Sequence, residues 1–465
     1  MLPDYVLLEI FGFYVDEDFR SFEKQRIEQW ITLAHVCRCW RSVVYLSPRS
    51  LNLRLLCTSK TPARDTPNIW PLLPLIIRSI SDTFDGGPGV DNIIAALEHN
   101  NRVCQVDLQC FSSQELGYVT DSAAMQEAFP ALTDLRLGSA YGGPESTLSI
   151  LPDSFLGGAA PRLRSLHLFC IPFPGLPHLL LSATHLVDLD LFNIPRSGYI
   201  PPKAMAIALS LLTSLESFRL HFRHPQPFPA LESLRSDCFL QTPFVLPRLT
   251  KIRYKGVSEY LEEILAQIVA PQLNKMDITF FNDIIFETPQ LFEFITRTRM
   301  LMVPKKCYIT FNSEIITIRF PSQSSDYSIQ VLCTVPNWQL SSLEDFCTES
   351  LPPVPALEDL YILEDSSSQL RWQDDIENKQ WLELLYPFAA VKNLYVCKTF
   401  VPRIAPALQE LAGEGATDCL PILKNIFLGF QPSGPLHEGI EKFVAARRLT
   451  YYPVAVFRWD RDSKH

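Results

Sequence analysis

The sequence predicts an α/β protein: a small all-helical start, then an irregular solenoid in which a curved parallel sheet grows strand by strand with helical returns. Three observations predict it. Apolar residues recur at helical spacing between Leu2 and Val43; an apolar triplet at i, i+3 and i+5 recurs ten times between Val103 and Leu428; and the stretches between triplets shift back to helical periodicity.

In the helical start, Pro3 suits a first helical turn, where a missing N–H costs nothing. Val6, Leu7, Ile10 and Phe11 follow on one face, and Leu33, Val36, Cys37, Trp40 and Val43 repeat the pattern, so two short amphipathic helices can close on each other. Fewer than about 70–80 residues rarely bury enough apolar area for independent stability, so part of this face is expected to bind a partner. A charged insert from Asp16 to Glu28 separates the halves, and the module is expected to span residues 1–54. Residues 55–92 hold Pro62, Pro67, Pro71, Pro74, Pro88 and the pair Gly86-Gly87. They are expected to form a packed linker and cap with one apolar segment, Leu72 to Ile80.

The repeating region is expected over 93–435. Its triplets are Val103/Val106/Leu108, Leu132/Leu135/Leu137, Leu163/Leu166/Leu168, Leu186/Leu189/Leu191, Leu215/Phe218/Leu220, Leu249/Ile252/Tyr254 and Leu273/Met276/Ile278, then Leu357/Leu360/Ile362, Val391/Leu394/Val396 and Leu423/Ile426/Leu428. An L-x-x-L-x-L core at a period of roughly 20–30 residues is the leucine-rich-repeat signature, one short strand and one return per unit. The gap after Met276 fits further units, with Ile315/Ile318/Phe320 a degenerate one and Leu340/Leu343 a weaker one. Several triplets follow a proline, as in Phe129-Pro130-Ala131, Ala160-Pro161-Arg162 and Leu246-Pro247-Arg248, which ends the preceding return. Helical returns are expected at Asp91–Asn100, Pro202–Leu212, Ser258–Val269, Thr288–Thr296, Trp381–Tyr386, Ala405–Ala412 and Gly439–Arg447, with Ser258 as a helix cap. A C-terminal helix and tail fill 436–465.

The N-terminal residues resemble a known family. Leu2-Pro3-x-x-Val6-Leu7-x-x-Ile10-Phe11 followed by Val36-Cys37-Arg38-x-Trp40-Arg41 is similar to the F-box, a helical module that docks on a Skp-family adaptor and so joins a cullin-based ubiquitin ligase. The resemblance implies that Leu2, Pro3, Val6, Leu7, Ile10 and Phe11, with Val36, Cys37, Trp40 and Val43, form the adaptor surface and the small core behind it. The rest of the chain resembles the degenerate leucine-rich-repeat region that follows the F-box in many fungal F-box proteins, notably at Trp338-Gln339-Leu340, Trp381-Leu382-Glu383 and Phe443-Val444-Ala445. That implies a non-catalytic substrate receptor for an unknown protein target. The other reading is a leucine-rich scaffold or inhibitor unconnected to ubiquitin, its N-terminal helices capping the solenoid.

Composition narrows the chemistry. The net charge is −10, and between Ser341 and Leu384 eleven Asp and Glu face only Arg371 and Lys379, so most of the excess sits there. This argues against general nucleic-acid affinity. Twelve Cys occur without a C-x-x-C pair; Cys37 and Cys39, one residue apart in a helix, read with the others as buried reduced thiols. With no N-x-Ser/Thr site, no signal-peptide pattern and no apolar run of bilayer length, the expectation is a protein without membrane attachment, intracellular, cytoplasmic or nuclear, and a monomer. No phosphate loop, nucleophile elbow or H-E-x-x-H is present, and His221 and His224 read as solvated, so no metal, cofactor or catalytic residue is expected.

Position i+4 of each triplet points to the solvent face of its strand. It reads Asp107, Arg136, His167, Asp190, Arg219, Arg253, Asp277, Arg319, then Tyr361, Tyr395 and Phe427, changing from charged to aromatic. The three rings are expected to anchor a basic, hydrophobic target segment, unless the tail from Phe443 to Trp459 covers them as a lid. In that case Arg219, Lys251, Arg253 and Lys275 are the expected target site.

Overall fold

The structure, a computed structural model, describes residues 2–15, 29–48, 51, 53–60, 73–79, 89–139, 150–225, 242–281, 288–301, 304–332, 340, 357–365, 378–412, 419–430, 432 and 434–459. It is a mixed α/β protein whose strands run mostly parallel. The chain divides into two compact units, Met1–Leu215 and Glu216–His465.

The first unit opens with helices α1 (Asp4–Val15), α2 (Gln29–Val36) and α3 (Arg38–Leu46). Leu7 and Phe11 of α1 meet Trp30, Leu33 and Ala34 of α2 and Val43 and Val44 of α3 in a closed apolar core. Two side-chain bonds fix its edges: Trp30 Nε1 donates to the Arg54 carbonyl and Arg41 Nε to that of Ala34, both at 2.9 Å. The second helix expected from sequence is therefore two. The break is Cys37, whose extended backbone (φ −158°, ψ 170°) starts α3 while its Sγ accepts the Trp40 N–H at 3.4 Å. Cys37 is exposed and Cys39 half-buried, which corrects the reading of both as buried thiols: a residue spent on capping a surface helix has no interior to enter. The Asp16–Glu28 insert lies outside the described residues.

The sheet of this unit runs β1 (Leu55–Thr58), β2 (Leu75–Arg78), β3 (Val103–Phe111), β4 (Asp134–Ser139), β5 (Ser165–Phe169) and β6 (Asp188–Ile194), each parallel to the next. Helices α4 (Gly89–Leu97), α5 (Ser113–Thr120), α6 (Leu176–Leu180) and α7 (Pro202–Ser210) lie between the strands in sequence. Strands β1 and β2 correct the expected linker over 55–92. Leu55-Leu56-Cys57 and Leu75-Ile76-Ile77 are unbroken apolar runs without the triplet spacing, as expected of parallel strands covered on both faces.

The second unit holds β7 (Ser217–Phe222), β8 (Phe244–Val245), β9 (Lys251–Gly256), α8 (Ser258–Leu265), β10 (Ile268–Val269), β11 (Lys275–Phe280), α9 (Pro289–Arg297), β12 (Lys306–Phe311), β13 (Ile315–Pro321) and β14 (Asp326–Leu332). It continues with β15 (Asp359–Glu364), α10 (Asn378–Leu385), β16 (Asn393–Val396), α11 (Val401–Glu410), β17 (Asn425–Leu428), α12 (Pro435–Leu449) and β18 (Ala455–Arg458). Its main sheet has the order β7-β9-β11-β14-β13-β12-β15-β16-β17-β18, with β8 and β10 paired separately. Among the described strands of this sheet, only β13 runs against its neighbours. The Ile315/Ile318/Phe320 unit is thus corrected to the middle strand of an antiparallel meander. Its buried residues, Ile316, Ile318 and Phe320, alternate with a period of two, as in any strand with one covered face. Leu340 is buried, while Leu343 lies outside the described residues.

All thirty triplet residues are at most 4% exposed. The turn before each strand explains the prolines: the Leu132 N–H bonds the Phe129 carbonyl, Leu163 that of Ala160, Leu249 that of Leu246 and Leu273 that of Ala270, at 3.1–3.3 Å, with Pro second in each four-residue turn. Helix α8 is not capped by Ser258, which is a buried first-turn residue. Instead Glu262 reaches from α8 to accept the Gln290 and Leu291 N–H groups opening α9 (2.7 and 2.8 Å), and Arg297 of α9 returns two bonds to the Leu265 and Ile268 carbonyls. Burial pushes the Glu262 carboxyl up, and the two N–H donors oppose that shift. The tail is corrected too: beyond α12 it forms β18, a strand parallel to β17.

Candidate functional site

In the helical start the residues expected at an adaptor surface separate into two sets. Leu7, Phe11 and Val43 are buried; Leu2, Pro3, Ile10, Val36 and Cys37 are exposed, and Val6 and Trp40 are intermediate, Trp40 resting on Phe11 at 4.8 Å between ring centroids. Helix α1 has an apolar face wider than its core needs. Val6, Ile10 and Phe13, at steps of four and three, form a stripe beside the buried Leu7 and Phe11, and Phe13 is 85% exposed. Phe13 was not among the expected surface residues, although its spacing from Ile10 carries the signal.

On the sheet of the first unit the i+4 residues line up across the strands: Arg78 beside Asp107, then Arg136, His167 and Asp190. Several of them contact one another or a strand neighbour. Arg78 Nη2 lies 3.5 Å from Asp107, and the His167 ring sits between Asp190 (3.3 Å), Asp188 (3.5 Å) and the Ser165 hydroxyl (2.8 Å). Opposite-charge pairs across strands are ordinary sheet stabilisation, so this row is a structural ladder.

The second unit carries the longer row: Arg219, Arg253, Asp277, Ser328, Arg319, Tyr308, Tyr361, Tyr395, Phe427 and Phe457 at matching register. Its aromatic half is a stack of five rings. Centroids are 4.4 Å apart from Tyr308 to Tyr361, 4.2 Å to Tyr395, 4.4 Å to Phe427 and 5.2 Å to Phe457, with planes within 22°. Trp459 stands edge-on to this floor, 6.0 Å from Tyr361 and 5.5 Å from Tyr395, held where its N–H bonds the Leu428 carbonyl. Tyr361, Tyr395 and Phe427 each remain half-buried: the tail extends the stack and walls one side of it. Burial pushes both tyrosine hydroxyls above their usual range, so they stay neutral. Beside the rings on the same face Asn393 donates to Asp359 and Asn425 to Asn393, both at 2.7 Å, a ladder that pins the three strands in register. Tyr308 was not expected here, because β12 lacks the triplet; Phe457 and Trp459 belong to the tail expected as an alternative lid, and they join the edge of the stack rather than cover it.

The charged half of the row is cationic on β9. Strand β9 places Lys251, Arg253 and Lys255 on the solvent face, alternating with buried Ile252 and Tyr254, and Lys275 stands beside Lys251. Most of the acidic stretch 341–384 lies outside the described residues. No group of three His, Cys, Asp or Glu that could hold a metal ion occurs among the described residues. What the arrangement offers is a surface: stacked rings with an upright tryptophan, next to a cluster of cations. No protein-family model matches the chain, and no curated protein matches it in sequence.

Proposed function

We propose that the protein is the substrate-recognition subunit of a Skp–cullin–F-box ubiquitin ligase, with α1–α3 as its F-box and the stranded region as a leucine-rich-repeat receptor for a protein target. The carrying observation is the divided apolar face of α1: Leu7 and Phe11 serve the module's own core, while Ile10 and Phe13, next to the half-buried Val6, face outward. An apolar stripe left on a packed module marks a binding surface. Trp40 and Val36 supply its other half. The protein would take no chemical step; it would hold the target near the ligase's catalytic subunits.

The test is co-purification of the full chain with a Skp-family adaptor, followed by addition of a cullin. A stoichiometric complex is expected, lost on Ile10→Asp. A chain that stays monomeric beside excess adaptor refutes the reading and leaves a scaffold or inhibitor role.

A further inference from the structure

The solvent face of the second unit's sheet changes character along its length. On one side stand Lys251, Arg253, Lys255 and Lys275; on the other, the floor of Tyr361 and Tyr395 with Trp459 upright beside it. Two carboxylates share the cationic side, and both are already engaged. Asp277 lies 3.4 Å from Arg253 and accepts the Ser328 hydroxyl at 2.9 Å, while Asp326 takes two bonds from Arg319 at 2.7 and 3.0 Å. Among the described residues Lys251, Lys255 and Lys275 form no ion pair within 4 Å, though Lys275 stands beside Asp326 in register and Lys255 Nζ lies 5.4 Å from the centre of the Phe281 ring. The cations on β9 alternate along an extended strand and so lie about 6–7 Å apart, and Lys275 adds one on the neighbouring strand, so the cationic patch is two strands wide.

We propose that this face docks an extended, Asp/Glu-rich segment of another protein, its carboxylates on Lys251, Arg253, Lys255 and Lys275 and one apolar side chain in the corner of Tyr361, Tyr395 and Trp459. The two ends are four to six strand steps apart, from β11 to β15 or from β9 to β16. At about 4.8 Å per step that is roughly 19–29 Å, which an extended chain at about 3.3 Å per residue covers in roughly six to nine residues. A floor of stacked rings with a perpendicular wall receives a flat or branched apolar group edge-on and face-on at once. Cations beside stacked rings also suit single-stranded nucleic acid. The chain's net charge of −10 favours the short acidic peptide, because a long phosphate backbone would run beyond the cationic strands onto a chain with an acidic excess.

This inference concerns binding by the chain alone and does not depend on adaptor docking, so the two readings fail separately. The test is selection of a displayed library of random 16-residue peptides on the full-length protein. The enriched peptides are then synthesised and titrated by fluorescence anisotropy against wild type, Lys251→Glu/Lys275→Glu and Trp459→Ala. The expected consensus has two or more Asp or Glu lying six to nine residues from an aromatic or aliphatic residue. The double variant should weaken binding at least tenfold and lose more affinity for acidic peptides than for Lys-substituted ones, and Trp459→Ala should weaken it several-fold with the far-ultraviolet circular dichroism unchanged. A basic or charge-indifferent consensus, no enrichment, affinities of the double variant within twofold of wild type, or tighter binding of a dT20 oligonucleotide would overturn the proposal. Phosphoserine in place of the acids binding while Asp and Glu do not would overturn it as well.

Discussion

Neighbouring residues Ile10 and Phe11 on helix α1 make the sharpest test of how the helical start divides its work. Phe11 is fully buried against Trp40, whereas Ile10 is 46% exposed on the outward stripe. Phe11→Ala removes a core aromatic, a loss of about 3–5 kcal/mol. A core this small seldom supplies more than about 3–5 kcal/mol in total, so the module should melt. Its three helices of 12, 8 and 9 residues would then leave the circular-dichroism signal at 222 nm. Ile10→Asp, by contrast, should cost within about 0.5 kcal/mol of stability, as surface substitutions do. It would still place an unpaired carboxylate in any apolar interface, a penalty of at least about 2–3 kcal/mol, or roughly 30- to 150-fold in affinity. Calorimetric titration with the adaptor, paired with far-ultraviolet melts, separates the two effects. Trp40→Ala is the weaker choice, since Trp40 supports Phe11 and would confuse folding with docking. An Ile10→Asp variant that binds the adaptor with wild-type affinity, or a Phe11→Ala variant with full helicity, refutes the division.

Arg447 is fully buried on α12, and its Nη2 donates to the carbonyls of Leu420, Pro421 and Leu423 at 3.0–3.3 Å, in a turn where Leu420 takes a left-handed conformation (φ 51°). Arg447→Ala should lower stability by about 3–5 kcal/mol, since it strands those carbonyls in the interior; a melt within 2 °C of wild type, against an expected shift of about 2–4 °C per kcal/mol, contradicts this. Tyr395→Ala should cost more than Phe457→Ala, because Tyr395 stacks on two rings and Phe457 on one, each such pair being worth about 0.5–1.5 kcal/mol; equal urea midpoints would show that the stack contributes nothing. The Arg319 guanidinium holds the Asp326 carboxyl below the usual carboxylate range, so its contribution is present above the ordinary Asp pKa and lost as pH falls through the depressed folded value. With Arg319 more than half exposed the effect is under about 1 kcal/mol, and wild type and Arg319→Met should converge in stability toward pH 2; a gap that widens there runs against the pairing.

The ten triplets were legible because a strand covered on one face and preceded by a fixed turn repeats its apolar residues at fixed offsets, and every one of those residues is buried. Legibility failed where that turn is missing. Strands β1 and β2 are continuous apolar runs, β12–β14 alternate, and β18 follows a helix and has Arg458 where the last anchor would stand, so none shows i, i+3 and i+5. Helix α5 was missed although Ser112 and Glu115 form a readable capping box: the Ser112 side chain accepts the Glu115 N–H and Glu115 reaches back to the Ser112 N–H. On the candidate surface the i+4 rule found Tyr361, Tyr395 and Phe427 but not Tyr308, Phe457 or Trp459, which depend on pairing that no local pattern states. The break at Cys37 was hidden for a similar reason, since a cysteine seldom caps a helix and nothing in its neighbours marks it.

The meander in the second unit could have destroyed that surface and did not. Side chains in a strand alternate with a period of two, so a register slip of one residue would turn Arg319 inward and Ile318 out to solvent. The turns prevent it. Ser322 N–H bonds the Ser325 carbonyl at 2.7 Å and Asn312 N–H that of Ile315 at 2.9 Å, which sets Ile318 opposite both Ile309 and Ile329. Strand β14 then continues from β11 by placing Ile329 beside Ile278, and β12 hands on to β15 by placing Ile309 beside Ile362. Parity is therefore conserved through two chain reversals. On the outer face the same register carries Asp277 to Ser328, Arg319, Tyr308 and Tyr361 without a gap. The cationic strands and the aromatic stack stand on one uninterrupted row because two tight turns keep the interior isoleucines aligned, and the outer surface inherits its continuity from that core.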